Sequence, residues 1–377
     1  MKTVRQANLL MFVLVALCSC VDVFEYEIQG DDQETLIVNG GVTTLPGPQQ
    51  ILVYRSKGFG NPDAQPAAVR DATVYVTDDE GNRFDYVLTS DPLQTSDCVN
   101  LAEQLGPTQL DLTRGYRYIS DPTFSAVVGR SYTVHVELAD GTLVSSTPEL
   151  AEAAIPINSI ETTYVVDETL GEGSSTIPDD KWIVQAQLQS NQVTGDPHLT
   201  WRHKGTFLIR TNPEQFCDFT DCSSVSCIPS CCNECWVVEY GQSLVNTDAS
   251  TVEGLSENYL TVATIPIEAM KTLSIYHLDL YQYRISDKTY DFFEALSDQL
   301  TNQGSIFDPP PHDEPSNLSY DDGRDEPILG FFWAAGAIHE VVTISPTIVT
   351  RQYNYFFPDD CQRVPGASTN RPEYYVY

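Results

Sequence analysis

SYTVHVEL, at residues 131–138, alternates polar and apolar side chains with a period of two. This period predicts a β-strand with one face in a hydrophobic core and the other towards solvent. Between Thr35 and Ser146, six more runs of this kind are separated by turn residues: LIVNGGVTT, QQILVYRS, ATVYVTDD, FDYVLTS, GYRYIS and TLVSST. Seven short strands within about 110 residues predict an immunoglobulin-like β-sandwich, which we assign to residues 35–148.

Two turns inside this block are expected to close β-hairpins. They are Asp78–Asn82 and Ala139–Gly141, where Gly and Asn accept the positive φ of a tight turn. The first turn is acidic enough to raise a calcium loop as an alternative. It lacks the spacing of an EF-hand ligand set, so a hairpin is the better interpretation.

A second β-rich block follows a proline-bounded segment at residues 148–156, which we interpret as a hinge. Alternation restarts at Ile157–Val166 and continues through further runs: KWIVQAQLQ, HKGTFLIR, CWVVEY, NYLTVATIPI and TLSIYHLDLYQYRI. In the last run the apolar parity switches near His277–Leu280, as a β-bulge would require. The chain is therefore predicted to be mainly all-β, with a sandwich followed by a larger β-domain at 156–377.

One packed helix is predicted in the larger domain, at residues 288–303. Its apolar side chains recur at helical spacing: Tyr290, Phe293, Leu296 and Leu300. Asp287 is the expected N-cap, and Gly304 is expected to close the helix. The stripe favours packing on the second sheet.

The N-terminus predicts export and lipid attachment. After a basic start, Leu9–Leu17 is an apolar run of nine residues, about half of the ~20 needed to span a bilayer as a helix. The following residues, Leu17-Cys18-Ser19-Cys20, resemble a bacterial lipobox in which Cys20 receives the lipid. A plain secretory signal is the alternative interpretation.

Cleavage before Cys20 would remove residues 1–19 as a signal peptide and leave 20–34 as a lipidated tether. The lipid supplies membrane affinity that an acidic chain lacks. Lys and Arg number 20 against 53 Asp and Glu, giving a formal charge of −33. Nucleic acid would therefore be repelled, because its binding depends on basic side chains that release counterions.

The cysteine content predicts disulfides in an oxidising compartment. Once Cys18 and Cys20 are set aside, eight candidates remain: Cys98, Cys217, Cys222, Cys227, Cys231, Cys232, Cys235 and Cys361. The crowded insertion at 217–235 also raises a zinc site, but it holds no histidine and no second Cys-x-x-Cys pair. Sequence alone leaves the pairing open, and we expect Cys361 to return to this central cluster.

Tryptophans and histidines are candidate binding groups in this sequence. The four tryptophans are expected to lie mostly in the core, with Trp236 against a disulfide sulfur. His198 and His203 stand five residues apart in a stretch interpreted as turn-rich, so a metal pair is an alternative to solvated loop histidines. His339-Glu340 lacks the second histidine of a His-Glu-x-x-His zinc site.

An acidic loop around Gly323 is the densest group of carboxylates in the sequence: Asp321, Asp322, Asp325 and Glu326. A solvated surface loop explains it more simply than catalysis, with a divalent cation as the alternative. No Gly-x-Ser-x-Gly elbow is present. We predict no catalytic residue, no metal and no cofactor.

A longer pattern near the C-terminus resembles a known family. Its signature residues are Gly304, Ser305, Ile306, Phe307, Asp308, Pro309, Pro310, Pro311, Asn317 and Gly330, the last within ILGFFWAA at 328–335. Shorter matches are LIVNG at 36–40, VRDATV at 69–74, VGRSYTV at 128–134 and Pro156. Together they resemble a Bacteroidota lipoprotein family catalogued as domain of unknown function forty-two forty-nine. The expanded cysteine cluster and the lone Cys361 depart from that pattern.

The resemblance implies a location and a partner class. Members resemble accessory lipoproteins of the outer membrane, often encoded beside TonB-dependent transporters, with no established catalytic group. It therefore implies a lipid-anchored protein on the periplasmic or cell-surface face, with such a transporter as partner and a ligand that sequence does not name. We expect a non-enzymatic ligand-capture or gating role. A surface adhesin or envelope scaffold is the alternative, and a carboxylate-based hydrolase is a weaker one.

The prolines at 309–311 lock φ and cannot donate backbone hydrogen bonds, so they predict a stiff extended segment. A fixed crossover between helix and sheet is the simpler interpretation. The alternative is a docking loop with Phe307 and His312 near its tip.

Overall fold

The computed structural model describes residues 34–56, 66–90, 116–167, 179–189, 197–211, 234–241, 245–247, 259–301, 316–351, 361, 364, 366–369 and 371–372. Over these residues the protein is mainly β, with strands in a large mixed sheet and one α-helix, which confirms the all-β class. The immunoglobulin-like sandwich and the boundaries at 148 and 156 remain predictions. Cys20, the predicted tether and the signature residues 304–311 lie outside the described residues, as do all the cysteine candidates except Cys235 and Cys361.

Two groups of strands supply the first hydrophobic core. One group contains β1 (Leu36–Thr43), β2 (Gln50–Arg55), β3 (Ala67–Ala68), β6 (Tyr116–Ile119), β18 (Ile328–Leu329) and the start of β19 (Phe332–Ile344). The other contains β4 (Thr73–Asp78), β5 (Arg83–Ser90), β7 (Ser131–Glu137), β8 (Leu143–Ser146), β9 (Glu149–Leu150) and β17 (Leu318–Tyr320). Strand β5 pairs with both β4 and β6, so the two groups are continuous.

All seven strands predicted between Thr35 and Ser146 are present. In β7 the alternation works as expected: Val134 and Val136 are fully buried, while His135 between them is only partly covered. Both predicted hairpin turns are confirmed, since β4 pairs with β5 and β7 with β8. Around the first turn, Arg130 forms ion pairs with Asp78 and the acidic residues after it.

A second core lies between a separate three-stranded sheet and the remaining strands of the large sheet. Three strands form a separate antiparallel sheet: β10 (Ile157–Val165), β11 (Lys181–Leu188) and β15 (Leu260–Pro266). Facing residues come from β12 (His198–Arg210), β13 (Glu234–Tyr240), β14 (Val245–Thr247), β16 (Tyr276–Ile285), the end of β19 and β20 (Ala367–Ser368). Trp182 and Trp201 are fully buried there. Short 3-10 turns occupy Ala269–Thr272 and Pro346–Ile348.

Strand β19 connects the two cores. Its first four residues pair in parallel with β1, and from Gly336 onwards it pairs antiparallel with β16. The chain between β18 and β19 is interrupted at Gly330, and β19 then extends to Ile344. Gly330 has a φ of +93°, and a Cβ there would lie 2.2 Å from the Val38 carbonyl oxygen. Only glycine fits this close approach.

The predicted β-bulge in β16 is wrong. The strand pairs with β12 and β19 without a register shift. The apolar parity switches because the two faces are covered in different halves of the strand. Leu278 and Leu280 enter the second core, whereas Tyr283 packs with a third cluster on the opposite face.

The segment at residues 148–156 is packed, which does not favour the hinge suggested by the sequence. Ile155 is 1% exposed and its N–H donates to Gln282 Oε1 at 3.1 Å. Arg284 Nη1 donates to the Ala153 carbonyl at 3.3 Å, and Arg284 also pairs with Glu152. Residues 152–155 of this connector are held against β16.

Helix α1 (Asp287–Thr301) begins one residue before the predicted helix. Ser286, not Asp287, is the N-cap, because its Oγ accepts the Thr289 N–H at 3.3 Å. Phe293 of the predicted stripe packs against Trp333, and its neighbour Phe292 packs against Phe331.

Candidate ligand-binding surface

One face of the β12–β16–β19 sheet carries a row of aromatic and charged side chains. Because side chains alternate along a strand, these residues point away from the second core. Strand register aligns them, with Arg202 opposite Tyr281, Lys204 opposite Asp279 and Tyr281 opposite His339. We call this surface the outer face, and it consists of Arg202, Lys204, Asp279, Tyr281, Tyr283, Trp333 and His339.

A ladder of rings runs along the outer face. Tyr283 and Tyr281 lie with ring centroids 6.3 Å apart and planes within 9° of each other. His339 continues the stack across the strand pair, 4.5 Å from Tyr281 and within 10° of its plane. Such offset rings offer flat faces and edges to a ligand.

An ion-pair group adjoins the ladder. Asp279 is 5% exposed, and its Oδ1 lies 2.8 Å from His339 Nε2. Lys204 Nζ is 3.9 Å from the other carboxylate oxygen. These contacts fix the plane of the imidazole and place a lysine ammonium near the buried carboxylate.

Arg202 occupies an aromatic box at the end of the outer face nearest helix α1. Its guanidinium carbon lies 5.2 Å from the Phe293 ring centroid, 5.6 Å from that of Trp333 and 6.0 Å from that of Tyr283. These distances fit cation–π contacts. Burial lowers the Arg202 pKa below its ordinary value, because desolvation disfavours the charged form. Among the described residues Arg202 has no carboxylate partner, and its Nε donates no hydrogen bond.

Two signature residues lie in the described part of the chain, Asn317 and Gly330, and both contact neighbouring strands. Asn317 Nδ2 donates to the Phe332 carbonyl at 2.7 Å and its Oδ1 accepts the Phe332 N–H at 3.0 Å. The same Nδ2 donates to Glu149 Oε1 at 3.3 Å. Asn317 is thus a structural clamp beside β19, and Gly330 allows the approach of β1.

The family comparison covers these two residues. A family model described as Domain of unknown function (DUF4249) matches residues 21–338, well over half of the chain. The chain belongs to the DUF4249 family. This confirms the resemblance, and Asn317 and Gly330 both lie within the matched range.

No curated protein and no solved structure matched this DUF4249 member. In the part of the chain that the structure describes, the helix is too short and too polar to count as a membrane span.

The metal pair that the sequence raised as an alternative for two histidines is not formed in this DUF4249 protein. His198 and His203 lie within strand β12, not in a turn-rich loop, and their odd spacing puts them on opposite faces. His198 stacks on Tyr290 with centroids 4.2 Å apart. Burial lowers the His203 pKa on the other side of the strand. Across the described ranges, no three His, Cys, Asp or Glu side chains meet as a metal site requires.

Cys235 and Cys361 form a disulfide with their Cα atoms 5.7 Å apart. This agrees with the expected return of Cys361 to the central cluster. Trp236 does not face the Cys235–Cys361 bridge, because consecutive strand residues point to opposite faces. It packs with Leu208, while Cys235 faces the second core.

The acidic turn around Gly323 is an exposed surface feature. Arg324 Nε lies 2.9 Å from Asp322 Oδ2, and Arg324 Nη1 lies 3.8 Å from Glu326. Arg324 thus pairs with two of the four carboxylates of this turn at the surface.

Sequence reasoning missed the outer face in this DUF4249 member. Its available signal was the parity switch in TLSIYHLDLYQYRI, which placed Tyr281 and Tyr283 on the face opposite Leu278. A strand with apolar or aromatic residues on both faces belongs in the middle of a packed structure. Nothing in the local pattern singled out Arg202.

Glu149 provides a pH-dependent prediction. It is 3% exposed, and burial raises its pKa although Ser286 Oγ donates to it at 2.7 Å. The folded protein therefore holds this proton more tightly than the unfolded chain does. The free energy of unfolding should fall as pH rises from the ordinary glutamate pKa of about 4.3 to the raised folded value, above which the full cost remains.

Urea unfolding from about pH 4 to about pH 8 measures this effect. Glu149→Gln should lose part of the decline in stability seen in the wild type over that window. Exposed Glu137→Gln is the matched control and should keep the wild-type slope. Equal slopes for all three proteins would contradict the assignment to Glu149.

Proposed function

We propose that this protein is a non-enzymatic outer-membrane lipoprotein that captures a ligand for a TonB-dependent transporter. The observation that carries the capture role is the outer face, where Arg202 stands among aromatic rings without a carboxylate partner among the described residues. Stacking faces and a cation that retains hydrogen-bond donors are binding chemistry.

Support for the location comes from the sequence. The basic start, the short apolar run and the lipobox ending at Cys20 favour export with lipid attachment. Membership of the DUF4249 family agrees with this interpretation, since the resemblance drawn from the sequence implies outer-membrane lipoproteins. The transporter is proposed on that same implication.

Affinity purification from detergent-solubilised outer membranes tests the partner. A C-terminally tagged protein should recover a TonB-dependent barrel that mass spectrometry identifies. Cys20→Ala is the matched control, because it keeps the folded body and removes the lipid site, and it should leave the membrane fraction. Recovery of the tagged lipoprotein alone would contradict the proposal. Gene deletion that disturbs adhesion without affecting uptake would favour the adhesin alternative.

A further inference from the structure

We propose that Arg202 anchors a small organic carboxylate with a flat apolar body on the outer face. The inference deepens the proposed capture role and rests on it, because it names the chemical class of the ligand. It concerns direct binding by this chain, so it is tested separately from any transporter.

Arg202 carries a positive charge that no acidic side chain of the described residues pairs with. The chain carries 53 acidic side chains against 20 Lys and Arg, so acidic partners are abundant for its cations. Ion pairs engage other arginines of the described chain, such as Arg130, Arg210 and Arg324. Arg202 instead packs against rings, and Glu294, the acid next to Phe293, accepts a hydrogen bond from Asn246 at 2.8 Å. A desolvated charge without a counterion costs free energy that an anionic ligand would offset.

Arg202 also has a hydrogen-bond donor without an acceptor. Arg202 Nε is buried and has no acceptor among the described residues. Two residues earlier on the same face, the buried Thr200 hydroxyl also has none. Unsatisfied polar atoms are uncommon in a folded protein, so this end of the outer face is incomplete by itself. A carboxylate matches the planar fork of a guanidinium with two parallel hydrogen bonds.

The number of unpaired cations on the outer face favours a carboxylate over a multivalent anion. The other outer-face cation, Lys204, already lies beside Asp279. One guanidinium in a strongly acidic protein suits a single negative charge, whereas a phosphate ester would bring a second charge into a repulsive field. The rings of Tyr281 and Tyr283 lie on the same face as Arg202 and provide stacking area for a flat ligand.

Calorimetric titration of the purified full-length lipoprotein in detergent tests the inference. The probes are benzoate and 2-naphthoate, with benzamide as a neutral analogue of the same shape and inorganic phosphate as a multivalent anion. We expect the carboxylates to bind at least tenfold more tightly than benzamide or phosphate. They should also raise the melting temperature, because a ligand that binds only the folded state stabilises it.

Two variants separate the site from general charge effects. Arg202→Met keeps an apolar side chain in the aromatic box and should weaken carboxylate binding at least tenfold. Arg210→Met, on the same strand but paired with Glu234, removes the same charge and should bind as the wild type does. Arg202→Lys should recover only part of the affinity, since it keeps the charge but loses the fork.

Several results would overturn the inference. They are equal binding by Arg202→Met and wild type, equal binding of benzamide and benzoate, or no Arg202-dependent binding of either carboxylate. If Arg202→Met does not fold, Arg202→Lys carries the comparison. A transporter recovered by affinity purification together with failed carboxylate binding would reject this inference and leave the proposed function standing. Carboxylate binding without recovery of a transporter would support this inference and reject the transporter partnership.

Discussion

Replacement of Cys235 and Cys361 by alanine is expected to lower the free energy of unfolding by about 4–5 kcal/mol. The disulfide joins residues 126 positions apart, so its loss frees a long loop in the unfolded chain. Both cysteines are fully buried in the second core, so their replacement also removes packed sulfur atoms. Urea unfolding followed by circular dichroism under non-reducing conditions measures the loss.

The two single replacements are the controls for this pairing. Because one bond is broken in each case, either single replacement should cost nearly as much as the double. Additive single effects, or a double effect below about 1 kcal/mol, would contradict a stabilising Cys235–Cys361 disulfide.

Gly336→Ala should destabilise the protein by about 3 kcal/mol or more. A Cβ at this position would lie 1.8 Å from the Glu152 carbonyl oxygen and 2.6 Å from the Ala154 nitrogen. Both atoms belong to the backbone, so no side-chain rotation relieves the overlap. The connector at 148–156 would have to leave β19, and its hydrogen bonds to Gln282 and Arg284 would weaken.

Ala337→Gly is the matched control, because it removes a methyl group at the next residue of β19, where Gly336→Ala adds one. It should cost only about 0.5–1 kcal/mol, mainly through backbone entropy. Thermal and urea unfolding of both variants give the comparison. A Gly336→Ala protein within about 1 kcal/mol of wild type would show that the connector is not held closely against the strand.

The sequence predicted strands well and their partners poorly. In residues 131–138 the period of two fixed which side chains enter the core, and Val134 and Val136 are buried as expected. Pairing of β1 with β18 and β19 joins segments almost 300 residues apart, for example Leu36 with Ile328. A local period carries no information on such a partner, because it specifies faces and not neighbours.

The candidate site was harder to foresee for a related reason. Arg202, Tyr281 and Trp333 come from three strands and meet only through register. His198 and His203 illustrate the opposite case. They are close in sequence and chemically suited to a metal, but they point to opposite faces of one strand. Site prediction from spacing depends on the secondary structure assumed, and the stretch between these histidines was interpreted as turn-rich although it is part of strand β12.

Anchoring at Cys20 is the claim on which the location, the capture role and the transporter all depend. Mass spectrometry of the protein isolated from membranes tests it most directly, by reading the N-terminal peptide of the mature chain. The proposal predicts that this peptide begins at Cys20 and carries covalent lipid. A mature N-terminus without lipid, or a protein that fractionates with the cytosol, would contradict it.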